Sequence, residues 1–290
     1  MGGLQVSAVV PAFNEEDGIA QVVEGLDLAL KRGCDSYEII VVDDGSTDRT
    51  EEMARFESVR VIKHPINRGC GRALLTGIGA ARHDWVLMID GDGSYPPEEA
   101  GKLLPRAPEF DMVIGARQGK LFWGNPLQAW MRWIYLWIAG FVAGEPIPDA
   151  NSGLRLFRKE AYLRTVPFLC FGYSFKTTMT LSFIQSGNFV AFEPIRLEER
   201  KGRSKVRIVR DILRTLQIML QIILYYDPLK FVACLSLVPA GFALLFALRY
   251  LSGRAFGDLA MLAASALSGL LVFLVGCVLD SQRRRQRSLP

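Results

Sequence analysis

Two carboxylates separated by one glycine form the group in this sequence best suited to binding a cation. Asp90 and Asp92 stand in the run DGDG, directly after the apolar segment Trp85–Ile89, which is predicted to be a strand. Carboxylates this close on a tight turn can share one hard divalent cation, and the glycines allow diphosphate oxygens to approach that cation. An EF-hand calcium loop is disfavoured, because its twelfth position would be Gly101 instead of a glutamate. A plain turn remains the alternative to a site for a metal and a diphosphate.

Two further polar runs follow predicted strands. The run PAFNEE follows the first strand, and DDGSTD follows the second. In the second run, Thr47 or Asp48 would cap the next helix, with Glu51 completing a capping box. Capping does not account for Asp43, whose carboxylate stands at the strand end, where it can bind a ribose hydroxyl or a base N–H.

The run NRGCGRA, residues 67–73, opens a predicted helix with two glycines and two arginines. Backbone N–H groups at such a helix start can bind an anion. Glycine is common at helix starts, so this run alone does not establish an anion site.

The first 115 residues alternate short β-rich runs with segments of helical periodicity. This alternation predicts a mostly parallel sheet covered by helices on both faces, with ligands at the carboxyl ends of its strands. The polar runs described above stand at those ends. The predicted strands are Val6–Pro11, Tyr37–Val42, Val59–Lys63, Trp85–Ile89 and Met112–Gly115, and the predicted helices include Glu15–Lys31 and Arg68–Ala81.

Two long uncharged stretches near the end of the chain are predicted to be a membrane-spanning hairpin. They cover residues 231–248 and 259–279, and about 20 residues of helix cross a hydrocarbon core of roughly 30 Å. Two buried helices of a soluble bundle are the alternative. Basic residues before the first stretch and the RRRQR run after the second place both ends on the cytoplasmic side, although Arg249 and Arg254 in the connection oppose this orientation slightly.

Two other segments have the character of helices that lie in a membrane surface. From about Val206 to Tyr226, apolar residues recur on one helical face and mostly basic or amide residues on the other. This pattern predicts an interfacial helix, with a core helix as the alternative. Residues 133–144 are uncharged but too few to span a bilayer. Four of the five tryptophans lie in or near this segment: Trp123, Trp130, Trp133 and Trp137. These side chains can lie at headgroup depth in a membrane or pack in the protein core, and the sequence leaves both alternatives open.

Composition disfavours several classes of protein. The 290 residues are 50% hydrophobic with a mean hydropathy of +0.20, too apolar for a disordered chain. Before Pro228 there are 27 basic and 28 acidic residues, so the main domain lacks the charge of a nucleic-acid binder. Five cysteines without a CxxC pair and only two histidines disfavour zinc and a disulfide framework. The N-terminal residues lack the pattern of a signal peptide, which favours a cytoplasmic catalytic part.

The ordered motifs VPAFNEE, DDGSTD, NRGCGRAL and DGDG resemble those of the family 2 glycosyltransferases with a GT-A fold. The later segments IPDANSGLRLFRKEAY and RKGRSKVRIVRDI, followed by the hairpin, narrow the likeness to the polyprenyl-phosphate glycosyltransferases, typified by dolichyl-phosphate mannosyltransferase. The resemblance covers nearly the whole chain. Together with the segments above, it predicts a cytoplasmic GT-A catalytic domain at residues 1–204, an amphipathic juxtamembrane helix at 205–227, a transmembrane hairpin at 228–280 and a basic cytoplasmic tail at 281–290.

The resemblance implies a metal-dependent, inverting transfer of a sugar from a GDP- or UDP-linked donor to dolichyl or undecaprenyl phosphate at the cytoplasmic membrane face. Asp90 and Asp92 would hold Mg²⁺ or Mn²⁺. In the mannosyltransferases a glutamine often stands four residues after the first of these aspartates, whereas this chain has Ser94, so mannose is not carried over as the donor sugar. The expected nucleotide contacts are Pro11, Ala12, Asn14, Glu15, Asp43, Arg72, Asp90 and Gly91.

A lipid monophosphate acceptor sets the expected chemistry. Its second pKa is about 6, so it is largely a dianion at neutral pH and needs no general base. Bringing it beside a diphosphate requires fixed positive charge, which guanidinium groups supply with bidentate geometry. The expected catalytic residues are Asp92, Arg117 and Asp149, the last positioning the sugar or pairing with an arginine. The expected acceptor-phosphate contacts are Arg117, Arg132, Ser152, Arg200, Arg203 and Lys205, with attraction to anionic lipid head groups as the alternative for the last two.

Two other functions remain open from the sequence. A membrane-bound family 2 enzyme acting on a hydroxyl of a glycolipid or glycan would need a base near the sugar, and Asp149 would have to serve. A non-catalytic nucleotide-sugar-binding membrane protein would not need both metal carboxylates and the arginines. The sugar, the nucleobase, the isoprenoid length and the oligomeric state, homo-oligomers included, are not specified by the sequence.

Overall fold

The computed structural model describes residues 3–165, 175–199, 208–252 and 257–287. The chain divides into two units, Met1–Ile218 and Met219–Pro290. The first unit contains the sheet and the polar runs, and the second contains the two long apolar helices.

A seven-stranded sheet forms the centre of the first unit. Its strands are β1 (Gln5–Ala12), β2 (Ser36–Asp43), β3 (Val59–Lys63), β4 (Trp85–Met88), β5 (Met112–Arg117), β6 (Arg155–Arg158) and β7 (Val190–Ile195). The order across the sheet is β3-β2-β1-β4-β6-β5-β7, and all pairings are parallel except those of β6 with β4 and β5. The predicted mostly parallel sheet and all five predicted strands are confirmed.

Helices cover both faces of this sheet. They are α1 (Ile19–Gly33), α2 (Thr50–Met53), α3 (Cys70–Ala80), α4 (Ala100–Leu103), α5 (Lys120–Trp123), α6 (Pro126–Ala143), α7 (Lys159–Thr165) and α8 (Phe175–Gln185), with 3-10 turns at Pro97–Glu99 and Leu104–Glu109. Successive residues of a strand point to opposite faces. Accordingly, Ala8 and Val10 of β1 lie in the core on the side of α1, whereas Val9 between them lies in the core on the side of α3.

Two strands, β6 and β7, were not predicted from the sequence. β6 has only four residues and carries arginines at both ends, so no alternation of apolar and polar residues marks it. β7 contains Pro194, which cannot donate a hydrogen bond within a sheet and argues against a strand. The proline is tolerated because β7 lies at the edge of the sheet.

The register of the strands brings the polar runs to one edge. Ala12 at the end of β1 pairs with Asp43 at the end of β2, and Asp44 N–H donates to the Ala12 carbonyl at 2.8 Å. β4 lies on the other side of β1, so the DGDG turn begins at the same edge. Because β6 runs antiparallel, with Arg155 paired to Met88, the residues just before β6 also reach this edge.

The predicted capping box after β2 is wrong. Helix α2 begins at Thr50 with Arg49 as its N-cap and no side-chain cap. Asp48 instead accepts hydrogen bonds from Thr50, and Glu51 pairs with Arg55 and Lys63. The loop takes this form because its polar groups also bond to the run after β1.

Four tryptophans lie at the surface of the first unit. Trp123 of α5 and Trp130, Trp133 and Trp137 of α6 are all exposed, so packing in the core does not account for them. Arg132 is the only charged residue in α6.

The second unit contains two helices long and apolar enough to cross a membrane. They are α10 (Pro228–Leu251) and α11 (Gly257–Arg287), while α9 (Ile208–Tyr226) contains the boundary between the units. α10 and α11 pack against each other, and Gly276 lies close to Val232 at this contact. Only 6% of the apolar window of each helix is buried, which disfavours two buried helices of a soluble bundle.

The packing of α3 on the sheet leads to a test with a matched control. A Cβ at Gly77 would collide with Val9 Cγ1, whereas a Cβ at Gly79 would meet nothing within 4 Å. We expect Gly77→Ala to destabilise the first unit by about 1–3 kcal/mol through overpacking. Gly79→Ala should be neutral or stabilise by up to about 1 kcal/mol, because alanine favours a helix. Thermal unfolding followed by circular dichroism measures both, and equal shifts for the two variants would contradict this account of the packing.

Candidate active site

The Asp90 carboxylate at the end of β4 is bound by a lysine. Lys176 Nζ, from the start of α8, lies 2.6 Å from both Asp90 Oδ1 and Asp90 Oδ2. Burial by itself lowers the pKa of Lys176, but the attraction of Asp90 raises it above its ordinary value. The ammonium is therefore charged at neutral pH, and it is a cation bound to this carboxylate.

The backbone at Gly153 also packs against the Asp90 carboxylate. A Cβ at Gly153 would collide with Asp90 Oδ2, so only glycine fits there without displacement. The Gly153 N–H donates to the hydroxyl of the buried Tyr95 at 2.6 Å. The segment before β6 thus packs directly against the turn that carries Asp90.

Asp92 is held by its own turn. Its Oδ1 accepts hydrogen bonds from the Ser94 N–H at 3.0 Å and from the Ser94 hydroxyl at 2.6 Å. Ser94 therefore orients Asp92.

Arg117 and Asp149 form an ion pair in which Asp149 is buried and Arg117 is largely buried. Arg117 Nε lies 2.6 Å from Asp149 Oδ2 and Arg117 Nη2 lies 2.9 Å from Asp149 Oδ1. Against the lowering effect of burial, Tyr95, Asp149 and Asp90 raise the pKa of Arg117. Of the two roles expected for Asp149, the structure has the pairing with an arginine.

A second arginine lies near this pair. The guanidinium carbons of Arg132 and Arg117 lie 4.5 and 5.1 Å from the centre of the Phe122 ring. Burial, and then the charge of Arg117, lower the pKa of Arg132. Arg132 Nη1 is buried and has no hydrogen-bond acceptor among the described residues. A buried donor without a partner is costly, and an anion at this position would satisfy it.

Only one of the two Asp43 carboxylate oxygens accepts a hydrogen bond from the described residues. Oδ1 accepts from the Ser46 N–H at 2.8 Å, whereas Oδ2 is buried without a hydrogen-bond partner in the described part of the chain. Lys63 Nζ lies 3.9 Å from this oxygen. The carboxylate is thus able to accept a hydrogen bond from a ligand.

The two runs around Asp43 are tied together by hydrogen bonds. The Asn14 N–H donates to Ser46 Oγ at 2.9 Å, and Asn14 Oδ1 accepts from the Thr47 N–H at 2.9 Å. Asn14 has φ of 52°, a conformation that asparagine adopts more readily than most residues. The Glu15 N–H donates to Thr50 Oγ1.

The expected anion position at the start of α3 is filled by a carboxylate of the chain itself. Asp44 accepts from the N–H groups of Arg68 and Gly69, the latter at 2.6 Å, and pairs with His64 Nδ1 at 2.7 Å. The N–H groups of Arg68 and Gly69, which belong to the run expected to bind an anion, are therefore used internally. Arg72 is exposed on the same helix.

Arg155 was not recognised from the sequence. It is fully buried and donates to the Ser152 carbonyl, the Lys176 carbonyl and Thr180 Oγ1. Burial lowers its pKa to about 10. Arg155 thereby connects the segment before β6 with the start of α8.

The remaining predicted site residues divide into two groups. Ser152 is buried and its hydroxyl bonds locally to Leu154, while Pro11, Ala12 and Gly91 are buried at the edge where β1 and β4 end. Three predicted acceptor contacts lie outside the described residues: Arg200, Arg203 and Lys205.

Comparison with known proteins identifies the family. The model of glycosyl transferase family 2 matches residues 7–165, and the chain belongs to this family. A low-salt glycan biosynthesis hexosyltransferase, Agl6, from Haloferax volcanii is 31% identical over 228 residues, which cover 74% of this chain and 53% of that protein. The chain thus spans about half the length of this relative. An undecaprenyl-phosphate mannosyltransferase from Micrococcus luteus is 29% identical over 221 residues, covering 70% of this chain and 88% of that protein.

The fold also resembles solved structures. Glucosyl-3-phosphoglycerate synthase from Mycobacterium tuberculosis, in complex with Mn²⁺, UDP and glucosyl-3-phosphoglycerate, superposes with a TM-score of 0.59 at 22% identity, covering 75% of this chain and 79% of that one. At this identity the likeness shows the fold alone, and it confirms the predicted GT-A fold.

The residues present fit a divalent cation shared with a ligand. Among the described residues no three His, Cys, Asp or Glu side chains cluster as ligands. Mg²⁺ is commonly held by one or two carboxylates together with substrate phosphates and water, which Asp90 and Asp92 can supply. The Lys176 ammonium on Asp90 shows that this position accepts positive charge.

The ion pair of Arg117 and Asp149 leads to a stability prediction. Removing one partner of a buried pair typically costs about 3–5 kcal/mol, because the other charge is left uncompensated. We expect Arg117→Met and Asp149→Leu each to lower the free energy of unfolding by about that amount, and the double variant to lose less than their sum. Thermal unfolding of the four proteins measures this coupling. Strictly additive losses would show that the pair contributes no coupling.

Proposed function

We propose that this chain transfers a sugar from a nucleotide-linked donor to a polyprenyl phosphate, using Mg²⁺ or Mn²⁺. The observation that carries the proposal is the buried Arg132 Nη1 without an acceptor among the described residues, beside Arg117. These arginines form an anion position separate from the carboxylates of the DGDG turn. A transfer between two phosphate-bearing substrates needs both positions.

The donor would bind at the edge where β1, β2 and β4 end. The uncommitted oxygen of Asp43 is suited to a ribose hydroxyl or a base N–H. The solved synthase of the same fold binds UDP and Mn²⁺, which supports a nucleotide donor here. The other proposed nucleotide contacts are Pro11, Ala12, Asn14, Glu15, Gly91 and Arg72.

Asp90 and Asp92 would hold the metal, which when bound would stabilise the negative charge of the departing nucleotide diphosphate. Ser94 keeps the Asp92 carboxylate oriented for this role. Lys176 contacts both oxygens of Asp90 and adds a further positive charge there.

The state of Asp149 favours a phosphate acceptor over a hydroxyl acceptor. A hydroxyl nucleophile would need Asp149 as a base, but both of its oxygens accept hydrogen bonds from Arg117, and Oδ1 also accepts from the Asn151 N–H. A phosphate dianion needs no base. Asp149 would then act by holding Arg117 in place for the acceptor, and the Micrococcus relative is itself named for undecaprenyl phosphate.

The acceptor lipid places the site at a membrane. We propose that α10 and α11 span the bilayer as a hairpin, with the catalytic domain and both termini on the cytoplasmic side. The exposed tryptophans of α5 and α6 lie on the same polypeptide segment as Arg132, and tryptophan favours headgroup depth. This segment would therefore bring the acceptor phosphate to the arginines, with Arg200, Arg203 and Lys205 as further contacts.

One assay tests the proposed reaction. Purified full-length protein is incubated with radiolabelled UDP- and GDP-sugars, Mg²⁺ or Mn²⁺, and either polyprenyl phosphate or free polyprenol. We expect labelled lipid only with the phosphate. Product with the polyprenol would support a hydroxyl acceptor, and donor binding without any product would support a non-catalytic role.

Arg132 provides the sharper prediction for the acceptor. Loss of a charge-assisted hydrogen bond costs about 1.5–3 kcal/mol, or about 10- to 150-fold. We therefore expect Arg132→Ala to lower kcat/KM for polyprenyl phosphate at least about tenfold while donor affinity changes by less than about threefold. Calorimetric titration of the donor and kinetics in the acceptor on one preparation decide this. The exposed Arg164, which pairs with Glu160 on α7, is a control whose substitution by alanine should change neither value.

A further inference from the structure

Lys176 binds the carboxylate that the proposed reaction assigns to the metal. Its ammonium bonds to both oxygens of Asp90 at 2.6 Å. Both side chains are largely buried, with 14% of Lys176 and 22% of Asp90 exposed. A divalent cation that uses Asp90 must therefore share or displace this ammonium.

The position of Lys176 is fixed by the structure around it. The Lys176 carbonyl accepts a hydrogen bond from the buried Arg155 Nη1 at 2.9 Å, and Arg155 also holds the Ser152 carbonyl. Gly153 packs against the Asp90 carboxylate, and its N–H donates to the Tyr95 hydroxyl. The ion pair is thus built into the fold.

Two cations on one carboxylate repel each other, so metal and ammonium disfavour each other at Asp90. A diphosphate changes this balance because it brings negative charge for both. With a diphosphate bound, Asp90 would be available to hold the metal and the Lys176 ammonium would be available to pair with a phosphate oxygen.

We propose that Lys176 is an internal counter-ion that competes with the divalent cation for Asp90, so that the metal binds weakly alone and tightly only together with a nucleoside diphosphate. This inference rests on the proposed use of Asp90 for the metal. Lys176 therefore sets the order in which the site fills.

Binding measurements on the full-length protein test the competition without any turnover. Mn²⁺ binding is followed by the electron paramagnetic resonance signal of free Mn²⁺, in the absence of nucleotide. We expect Lys176→Met to bind Mn²⁺ at least about tenfold more tightly than the wild type, within the usual range of coupling between sites. In the absence of metal, Lys176→Met should bind UDP or GDP, whichever the wild type binds, at least about fivefold more weakly than the wild type, because the diphosphate loses the Lys176 ammonium as its cation.

Opposite changes in the two affinities distinguish this role from a merely structural one, which would weaken both. Lys176→Arg should retain weak Mn²⁺ binding, and Lys176→Gln serves if the methionine variant does not fold. Lys159→Met is the matched control, because Lys159 Nζ bonds to the Ala81 carbonyl instead of a carboxylate. Adding Asp90→Asn to Lys176→Met should abolish the gain.

Equal or weaker Mn²⁺ binding by the neutral Lys176 variants, including no detectable binding by any of them, would overturn the inference. The outcome is independent of sugar transfer. If Lys176→Met binds Mn²⁺ more tightly but the wild type transfers no sugar, the counter-ion role stands and the proposed reaction is wrong. If the wild type transfers sugar but the Lys176 variants bind Mn²⁺ with unchanged affinity, the proposed reaction stands and the counter-ion role is wrong.

Discussion

Carboxylates gathered at one edge of the sheet are the constraint on which the site depends. Parallel strands end at a common edge, and Asp43, Asp44 and Asp90 all lie at the ends of such strands. Buried carboxylates are unstable without cations or hydrogen-bond donors. Asp44 is satisfied by backbone N–H groups and His64, and Asp90 by Lys176. Asp43 retains an oxygen without a hydrogen-bond partner in the described part of the chain, which supports its proposed role as a ligand contact.

The antiparallel strand β6 explains how distant residues reach this edge. By running between β4 and β5 in the opposite direction, it brings the segment that holds Asp149 and Gly153 to the ends of its neighbours. Arg155 at the start of β6 then connects this segment to α8. A single reversal in the sheet thereby assembles the Asp90 and Asp149 ion pairs in one region.

Each of the two ion pairs has a second residue of like charge beside it. Both Asp149 oxygens accept hydrogen bonds from Arg117, whereas the neighbouring Arg132 has a donor without an acceptor among the described residues. Lys176 occupies Asp90, yet Asp92 on the same turn is held by Ser94. The charge of Arg117 is neutralised by Asp149, and the neighbouring Arg132 favours an anionic ligand. The charge of Asp90 is neutralised by Lys176, and the neighbouring Asp92 favours a cation.

Features that depend on local pattern could be predicted from the amino-acid sequence. The five predicted strands, the DGDG turn and the apolar stretches of α10 and α11 follow from periodicity and composition over a few residues. Which polar groups pair could not be predicted and is seen only in the folded chain: Lys176 with Asp90 across 86 positions, Arg117 with Asp149 across 32, and Asp44 with the loop before α3. Strands β6 and β7 are likewise seen only in the structure, because their short, charged or proline-containing sequences carry no strand pattern. The physical reason is that these contacts depend on strand order and direction, which bring residues together that no local pattern relates.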